Sequence, residues 1–191
     1  MFKKNNLESY FKKFRPFLLF LGRFLLTYLI FIFLYQQYLN RFDTTKFQID
    51  GFTTFVANNT KDLLELFNYQ TDMQPHKAEP SVKVYIENKY VVRIVEGCNA
   101  ISVMILFAAF VVAFRGKFLK TVLFIISGII LIHLLNVSRI AILSVGLLYY
   151  PQYESMLHDI IFPLFIYGAV FLLWVLWINK FSSYAKKNTG A

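Results

Sequence analysis

Long apolar runs are the feature that most restricts what this chain can fold into. They occupy residues 17–35, 100–114, 121–135, 140–150 and 160–178. The first exceeds the apolar core of a cleaved signal peptide, about 7–15 residues, so we expect it to remain as a membrane span. The fourth would reach only about 16 Å as a helix, whereas the hydrocarbon core of a bilayer is roughly 30 Å thick. The pattern predicts an α-helical integral membrane protein with about four transmembrane helices plus a short re-entrant or tilted helix at residues 140–150, ended by Pro151.

Composition supports a membrane protein and argues against a nucleic-acid partner. Apolar residues make up 57% of the chain and charged residues 16%, too little charge to cover a soluble domain of this size. The net charge of +9 comes from short basic runs beside apolar segments, as expected for contact with anionic lipid headgroups. The sequence contains no RNA-binding motif and no glycine-rich phosphate loop. We therefore expect the lipid bilayer, and no nucleic acid, as a partner.

The asymmetry of charge predicts the orientation of the spans. The N-terminal flank, the loop at residues 115–120 and the C-terminal tail hold eleven basic residues and one acid, Glu8. Residues 41–96 hold seven basic residues and eight acids. By the positive-inside rule the first three segments are cytoplasmic and the long segment is extracytoplasmic. The start of the second span, the end of the third and the start of the last then lie at the outer boundary of the membrane.

The extracytoplasmic segment, residues 41–95, is predicted to form a small α/β cap. Apolar residues recur at helical spacing over residues 52–67, and two prolines mark residues 71–80 as a loop. Apolar and polar residues alternate over 82–86 and again over 90–94, which predicts a β-hairpin. The second strand of this hairpin would deliver the chain to the second membrane span.

Cys98 is the only cysteine of the chain and follows the second predicted strand. A lone thiol forms no internal disulfide and makes a poor metal site, so a chemical role for it would be that of a nucleophile. Gly97 permits a sharp entry into the next helix, and a thiol in the first helical turn near a cation is favoured as the thiolate. Glu96 would oppose this unless it points outward. The alternative is that Cys98 is a small apolar filler of a membrane helix.

Arg139 and His158 are the polar residues that the predicted topology places at the same depth as Cys98. Arg139 lies between two apolar runs, where a permanent cation is costly and is usually paired or functional. It would donate hydrogen bonds to an oxyanion or hold the thiolate. His158 would act as the base, with Asp159 adjacent to orient it. The alternatives are an interface anchor and a helix cap, and His133, inside the third span, is expected to be a packing or hydrogen-bonding group.

A cysteine that opens one membrane helix, an Asn-x-x-Arg sequence ending at Arg139 and a histidine that opens the last helix resemble the exosortase/archaeosortase family. Members of this family are multispanning membrane cysteine transpeptidases. The likeness is greatest to the short exosortase family proteins of bacteria, and its motifs cover about residues 96–163. The chain has Asn-Ala after the cysteine, where many family members have Ser-Gly. The resemblance implies Cys98 as nucleophile, Arg139 as stabiliser and His158 as acid/base.

The resemblance also implies a reaction and a place in the cell. The protein would be a cysteine-type peptidase and transpeptidase without a metal or organic cofactor, in the cytoplasmic (inner) membrane of a bacterium. Its active site would face the extracytoplasmic side and cleave the tails of exported proteins that carry a C-terminal sorting signal. The cleaved protein would pass to a lipid or glycan acceptor, or to water. Residues 1–40 would then hold the basic N-terminus and first span, 41–95 the cap, 96–180 the catalytic membrane core and 181–191 the cytoplasmic tail.

Two interpretations from other classes stay open on the sequence. The chain could be a non-catalytic multispanning scaffold or assembly subunit that binds a partner through its cap and tolerates loss of the thiol. It could also be a transporter subunit in which Arg139 and His158 line a polar path and Cys98 is dispensable. Loss of function on replacing the cysteine would distinguish the peptidase from both.

Overall fold

A computed structural model of the chain describes residues 2–114 and 116–181. These residues are mostly helical. Along the chain, one three-stranded sheet follows the first two helices and precedes the later ones. In chain order the elements are α1 (Phe2–Leu39), α2 (Gly51–Leu66), β1 (Thr71–Pro75), β2 (Ser81–Ile86), β3 (Lys89–Val95), α3 (Ile101–Ala113), α4 (Phe118–Tyr149), α5 (Glu154–Met156) and α6 (Phe162–Leu176). The predicted cytoplasmic tail, apart from Phe181, and Arg115 of the predicted cytoplasmic loop lie outside the described residues.

Three stretches of the described chain are helical, long and apolar enough to cross a membrane, namely Phe14–Leu39, Phe118–Tyr149 and Pro151–Phe181. This agrees with the prediction of an α-helical membrane protein. The second predicted span, residues 100–114, forms the shorter apolar helix α3, whose 13 residues reach about 20 Å.

α3 lies at the centre of the membrane helices and contacts α1, α4 and α6. Its Phe107 is fully buried, and the ring of Phe110 stacks on that of Trp174 in α6 with the centroids 4.2 Å apart. On the other side Phe110 meets Phe20 of α1 edge to face at 5.7 Å. Aromatic rings therefore fill the space between α3 and its neighbours.

The short re-entrant or tilted helix predicted at residues 140–150 is wrong, because α4 continues without a break to Tyr149. Its 32 residues reach about 48 Å, well beyond the thickness of a hydrocarbon core. Several apolar residues after Arg139 are buried by protein: Ile140 and Ala141 are 2% and 6% exposed and belong to the core of the cap. The helix ends before Pro151, as predicted.

The helix predicted over residues 52–67 is confirmed as α2. Asp50 caps it, because its carboxylate accepts hydrogen bonds from the backbone N–H groups of Phe52 at 3.0 Å and Thr53 at 2.9 Å. Val56, Ala57 and Leu64 lie on the buried side of α2. This side packs on α4 and on the sheet.

The predicted hairpin is confirmed as β2 and β3, which pair in antiparallel register. A two-residue turn joins them, and both of its residues, Glu87 and Asn88, have positive φ (51° and 62°), as a type I′ turn requires. Val84 of β2 and Ile94 of β3 are buried against the distal end of α4. Residues 41–95, for which we keep the name cap, therefore pack on α4, and this contact fixes the position of β3.

The predicted loop at residues 71–80 is wrong in its first half, because Thr71–Pro75 is the strand β1 and pairs with β2. The prolines suggested a loop, but β1 is an edge strand and Pro75 is its last residue, where a missing N–H is tolerated.

In the second half of the predicted loop, Glu79 accepts hydrogen bonds from Ser81 at 3.0 Å and from Arg93 at 2.7 Å. The pKa of Glu79 lies below its ordinary value. Partial desolvation raises this pKa, but the hydrogen bond from Ser81 and the guanidinium of Arg93 together lower it by more.

Candidate active site

Cys98 ends a single 3-10 turn, Glu96–Cys98, that directly follows β3. The expectation that it lies in the first turn of a membrane helix is wrong, because α3 begins only at Ile101. Ala100 interrupts the helix with a left-handed backbone (φ 64°, ψ 11°), which an α-helix cannot contain. The side chain of Asn99, not the thiol, takes the N-terminal position and accepts a hydrogen bond from the N–H of Ile101 at 2.9 Å.

Buried amide side chains hold the turn on both sides of Cys98. Asn136 of α4 donates through Nδ2 to the backbone carbonyl of Cys98 at 2.8 Å and is 0% exposed. Asn99 is 1% exposed, and its Nδ2 donates to the hydroxyl of Tyr35 in α1 at 3.2 Å and to that of Thr53 in α2 at 3.1 Å. Three helices thus position a turn that belongs to none of them.

Glu96 points away from the thiol. Its carboxylate accepts a hydrogen bond from the hydroxyl of Tyr35. It lines a cavity of about 430 Å³ between α1 and the cap that Gln36 and Asp50 also line, whereas Cys98 lines a different one. The carboxylate is therefore not placed to oppose a thiolate at Cys98.

The three candidate residues, Cys98, Arg139 and His158, line one cavity of about 340 Å³. The guanidinium of Arg139 interacts with the sulfur of Cys98 and lies close to the hydroxyl of Tyr167. Its Nε and Oδ1 of Asn136 are buried and have no hydrogen-bond partner among the described residues. The remaining lining residues are Val95, Gly97, Ala100, Val103, Pro163 and Ile166. We call this cavity the thiol cavity. Its walls are largely apolar, and its polar groups include the half-buried sulfur of Cys98, the donor groups of Arg139 and the acceptor oxygen of Asn136.

His158 lies on a π-helical turn, Leu157–Ile161, just before α6. Pro163 explains this widening: it has no N–H, and its ring would clash with the carbonyl of Asp159 in a regular helix, whereas in the π-helix Phe162 donates to Leu157 five residues back. Nδ1 of His158 lies 2.9 Å from Oδ1 of Asp159. Because an ionised carboxylate only accepts hydrogen bonds, Nδ1 is the donor, and Nε2 is left to take a proton.

A second cavity, of about 690 Å³, extends from the thiol cavity along β3. Cys98, Val95 and His158 line both cavities, so the two cavities adjoin at these residues. One wall of the larger cavity is β3, and the other is the segment Pro151–Asp159. We call it the β3 cleft; it connects the site with the half-exposed face of His158.

His133 has the role expected of it and does not line either cavity. Its Nε2 lies 2.9 Å from Nδ2 of Asn59 in α2, and its ring stacks on Phe55 with the centroids 5.2 Å apart. It therefore joins α2 to α4.

Sequence reasoning missed the residues that hold the site in place. Tyr35 and Thr53 lie on separate elements more than 40 residues before Cys98, and nothing in their local sequence distinguishes them from other polar residues of a helix. Tyr167 lies within an apolar run and was likewise not identified. Asn99 carried a signal, since it is an amide at the junction between a strand and an apolar helix.

The family model for transmembrane exosortases, Exosortase_EpsH, matches residues 16–179. The chain belongs to the exosortase family. The match includes the turn of Cys98, the whole of α4 and the π-helical turn of His158. Membership of the exosortases, with the three long apolar helices, identifies a membrane protein and suggests a role as a membrane transpeptidase or protease in protein sorting. Comparisons with curated proteins and with solved structures gave no match.

Proposed function

We propose that this exosortase is a cysteine transpeptidase that cleaves the C-terminal sorting tails of exported proteins at the outer membrane–water boundary. The observation that supports this most is that Cys98, Arg139 and His158 line one cavity, although up to about 60 residues of sequence separate them. The cavity is large enough for the reacting part of a peptide, and the β3 cleft adjoins it.

The first step is attack by Cys98 on the carbonyl carbon of the scissile peptide bond. The proton of the thiol passes to Nε2 of His158, a C–S bond forms and the carbonyl oxygen becomes an oxyanion. The guanidinium of Arg139, which interacts with the sulfur, stabilises the thiolate before the attack. The same guanidinium, with its five N–H donors, would also donate to the oxyanion once it forms.

The second step releases the tail. The C–N bond breaks, the leaving amine takes the proton from His158, and the exported protein stays on Cys98 as a thioester. An amine of a lipid or glycan acceptor then attacks the thioester, so that a new C–N bond forms as the C–S bond breaks. The proton that the amine loses returns to the thiolate through His158. With water in place of the amine, the product is a free carboxylic acid.

The charge pattern supports a place in the cytoplasmic membrane with the site on the extracytoplasmic side. The cap carries the balanced charge of a non-cytoplasmic segment, and its strand β3 leads into the turn of Cys98. Exported proteins with a tail helix would reach the cavity from this side. The side chains already present suffice for the proposed steps.

The test replaces Cys98 with Ala, and separately with Ser, in the native host. We expect tail-bearing precursors of exported proteins to accumulate in both variants, because neither side chain forms a thiolate. Intact precursors and products are separated by mass spectrometry, which also distinguishes a conjugate from a free carboxylic acid.

The control is Ser144→Ala, which removes a fully buried hydroxyl from the same protein outside the thiol cavity. Ser144 bonds only to the backbone of its own helix, at Ile140, so precursor processing should be unchanged. Normal processing in Cys98→Ala, at normal protein levels, would overturn the proposed function and favour a scaffold. Loss of function with Arg139→Gln but not with Cys98→Ala would favour the transporter subunit.

A further inference from the structure

The free edge of β3 leads directly to the nucleophile. The strand order is β1-β2-β3, so β3 pairs with β2 on one side, and no other described strand pairs with it on the other. In an antiparallel pair, about half of the backbone N–H and C=O groups of an edge strand point away from its partner. Such an edge is a template for another strand. β3 ends at Val95, three residues before Cys98.

The β3 cleft lies along this edge and provides the room for another chain. Five of the seven residues of β3 line the cleft. Ile94 does not line it, because its side chain is 1% exposed and belongs to the core of the cap. The opposite wall is helical, Pro151–Asp159, and leaves about 690 Å³ between the two. The cleft adjoins the thiol cavity at Val95, Cys98 and His158. A chain seated along β3 would therefore end next to Cys98, which lines the cleft itself.

The other edge of the sheet is unsuited to the same role. β1 ends in Pro75, which has no N–H to offer a new strand. β1 lines neither the β3 cleft nor the thiol cavity. The sheet thus offers a usable edge only where the candidate site lies.

We propose that the free edge of β3 binds the substrate as an extended strand, with the segment before its tail helix paired in parallel to β3. This rests on the proposed function and names how that function selects its substrate. Pairing along Tyr90 to Val95 orders about six residues of the substrate, roughly 20 Å of strand, through backbone hydrogen bonds. The scissile bond then lies at the C-terminal end of β3, beside Cys98.

The parallel direction follows from the path of the two chains. β3 runs from the hairpin turn at Glu87 and Asn88 toward α3, which enters the membrane part of the protein. A substrate whose folded domain lies outside and whose tail helix enters the membrane next to α3 runs the same way. Side chains of the bound strand then alternate between the two faces of the extended sheet, while its outer backbone edge faces the wall that carries Glu154 and Asp159. Contacts of these side chains on the two faces give sequence specificity, while the backbone pairing itself is independent of sequence.

The test is photo-crosslinking in the native host in the Cys98→Ala variant, in which uncut precursors are retained. Benzoyl-phenylalanine replaces Tyr90 in one strain and Val95 in another; Tyr90 is 52% exposed at the start of the cleft, so the larger ring fits. The matched control replaces Phe67, which is 68% exposed and lines a separate groove between α2 and α4. Crosslinked peptides are identified by mass spectrometry.

We expect precursor peptides from the segment just before the tail helix at positions 90 and 95 and none at position 67. The peptide joined to position 95 should lie closer to the tail helix than the one joined to position 90, which defines the parallel direction. Precursors that accumulate but crosslink at none of these positions, or equally at Phe67, would overturn strand pairing and leave the proposed function intact. Crosslinks in the reverse order would overturn the parallel arrangement. Absence of accumulated precursors in Cys98→Ala would overturn both proposals.

Discussion

Replacing Asn136 with Ala should slow substrate processing far more than it destabilises the protein. In the proposed mechanism Asn136 does not react, but its fully buried side chain holds the carbonyl of Cys98 through Nδ2 at 2.8 Å. In the variant this carbonyl loses its partner, and no other described side chain bonds to it. The turn of Cys98 then keeps the contacts made by its neighbour Asn99 and the hydrogen bond from Tyr35 to Glu96.

The magnitude follows from the burial. A buried carbonyl left unpaired costs about 1–3 kcal/mol. Part of this is offset, because the substitution also removes Oδ1 of Asn136, which itself lacks a partner among the described residues. We expect a net loss of about 1–2 kcal/mol, which leaves a protein of typical stability, about 5–15 kcal/mol, almost fully folded. A shift of the sulfur by about 1 Å nevertheless lowers the rate by roughly 100-fold.

The assay measures conversion of a tail-bearing precursor in membranes with equal amounts of each variant. A second measurement uses the fact that Cys98 is the only cysteine of the chain, so alkylation by a small thiol reagent reports on this site alone. We expect conversion by Asn136→Ala to fall about 10–100-fold and alkylation to become faster as the turn loosens.

Ser144→Ala is the matched control, since Ser144 is also 0% exposed on α4 but bonds only to its own helix. It should leave the conversion and the alkylation rate unchanged. If Asn136→Ala converts precursor at the rate of Ser144→Ala, then Asn136 does not position the nucleophile and the reasoning is refuted.

Three further predictions concern the packing, the turn and the cap. Gly128→Ala should lower the thermal unfolding midpoint in detergent, because its Cβ would lie 2.3 Å from the buried ring of Phe107 and overpacking costs about 1–3 kcal/mol. Ala100→Val should reduce folded protein and processing, because a β-branched side chain is strongly disfavoured at φ 64°, whereas Ala100→Gly should retain both, because glycine adopts positive φ without steric cost. Glu79→Gln should flatten the pH dependence of the unfolding midpoint below about pH 5. Because the pKa of Glu79 is lowered in the folded protein, its ionised form stabilises the fold above the ordinary carboxyl pKa. This contribution is lost as the pH falls through the lowered pKa.

Each of these has an outcome that contradicts it. Gly168→Ala on α6 meets no atom within 4 Å, so an equal drop in midpoint for both glycine variants would exclude overpacking as the cause. Equal yields of the Val and Gly variants at position 100 would show that the left-handed backbone is not required. An unchanged acid profile in Glu79→Gln would mean that the bonds to Ser81 and Arg93 do not stabilise the cap.

The presence of a helix or strand with a clear local pattern could be predicted from the sequence. How far each element runs along the chain could not. The period of two over residues 82–86 and 90–94 reports directly on a half-buried hairpin, and β2 and β3 confirm it. The apolar run at 140–150 was compared with the thickness of a bilayer, but lipid and protein bury apolar side chains equally well. Ile140 and Ala141 are covered by the cap, and no local signal distinguishes that from insertion in a membrane.

The candidate residues of the site could be chosen from the sequence, but the residues that hold them in position could not. Cys98, Arg139 and His158 were chosen because a thiol, a cation in an apolar region and an imidazole have few other uses there. The turn that presents the thiol depends on Tyr35 and Asn136, which reach it from α1 and α4. Such contacts between distant parts of the chain leave no trace in a sequence considered alone.

By itself the sequence determined the membrane class, the hairpin, the helix α2 and the short set of residues with chemical potential, because composition and periodicity are local properties of the chain. The tertiary structure alone decided that α4 runs unbroken into the cap, that Ala100 separates the thiol from α3, and that β3 leaves an open edge beside Cys98. These features arise where elements distant in sequence bury each other's surfaces. Their positions are set by the packing of the whole fold, and no single segment encodes them.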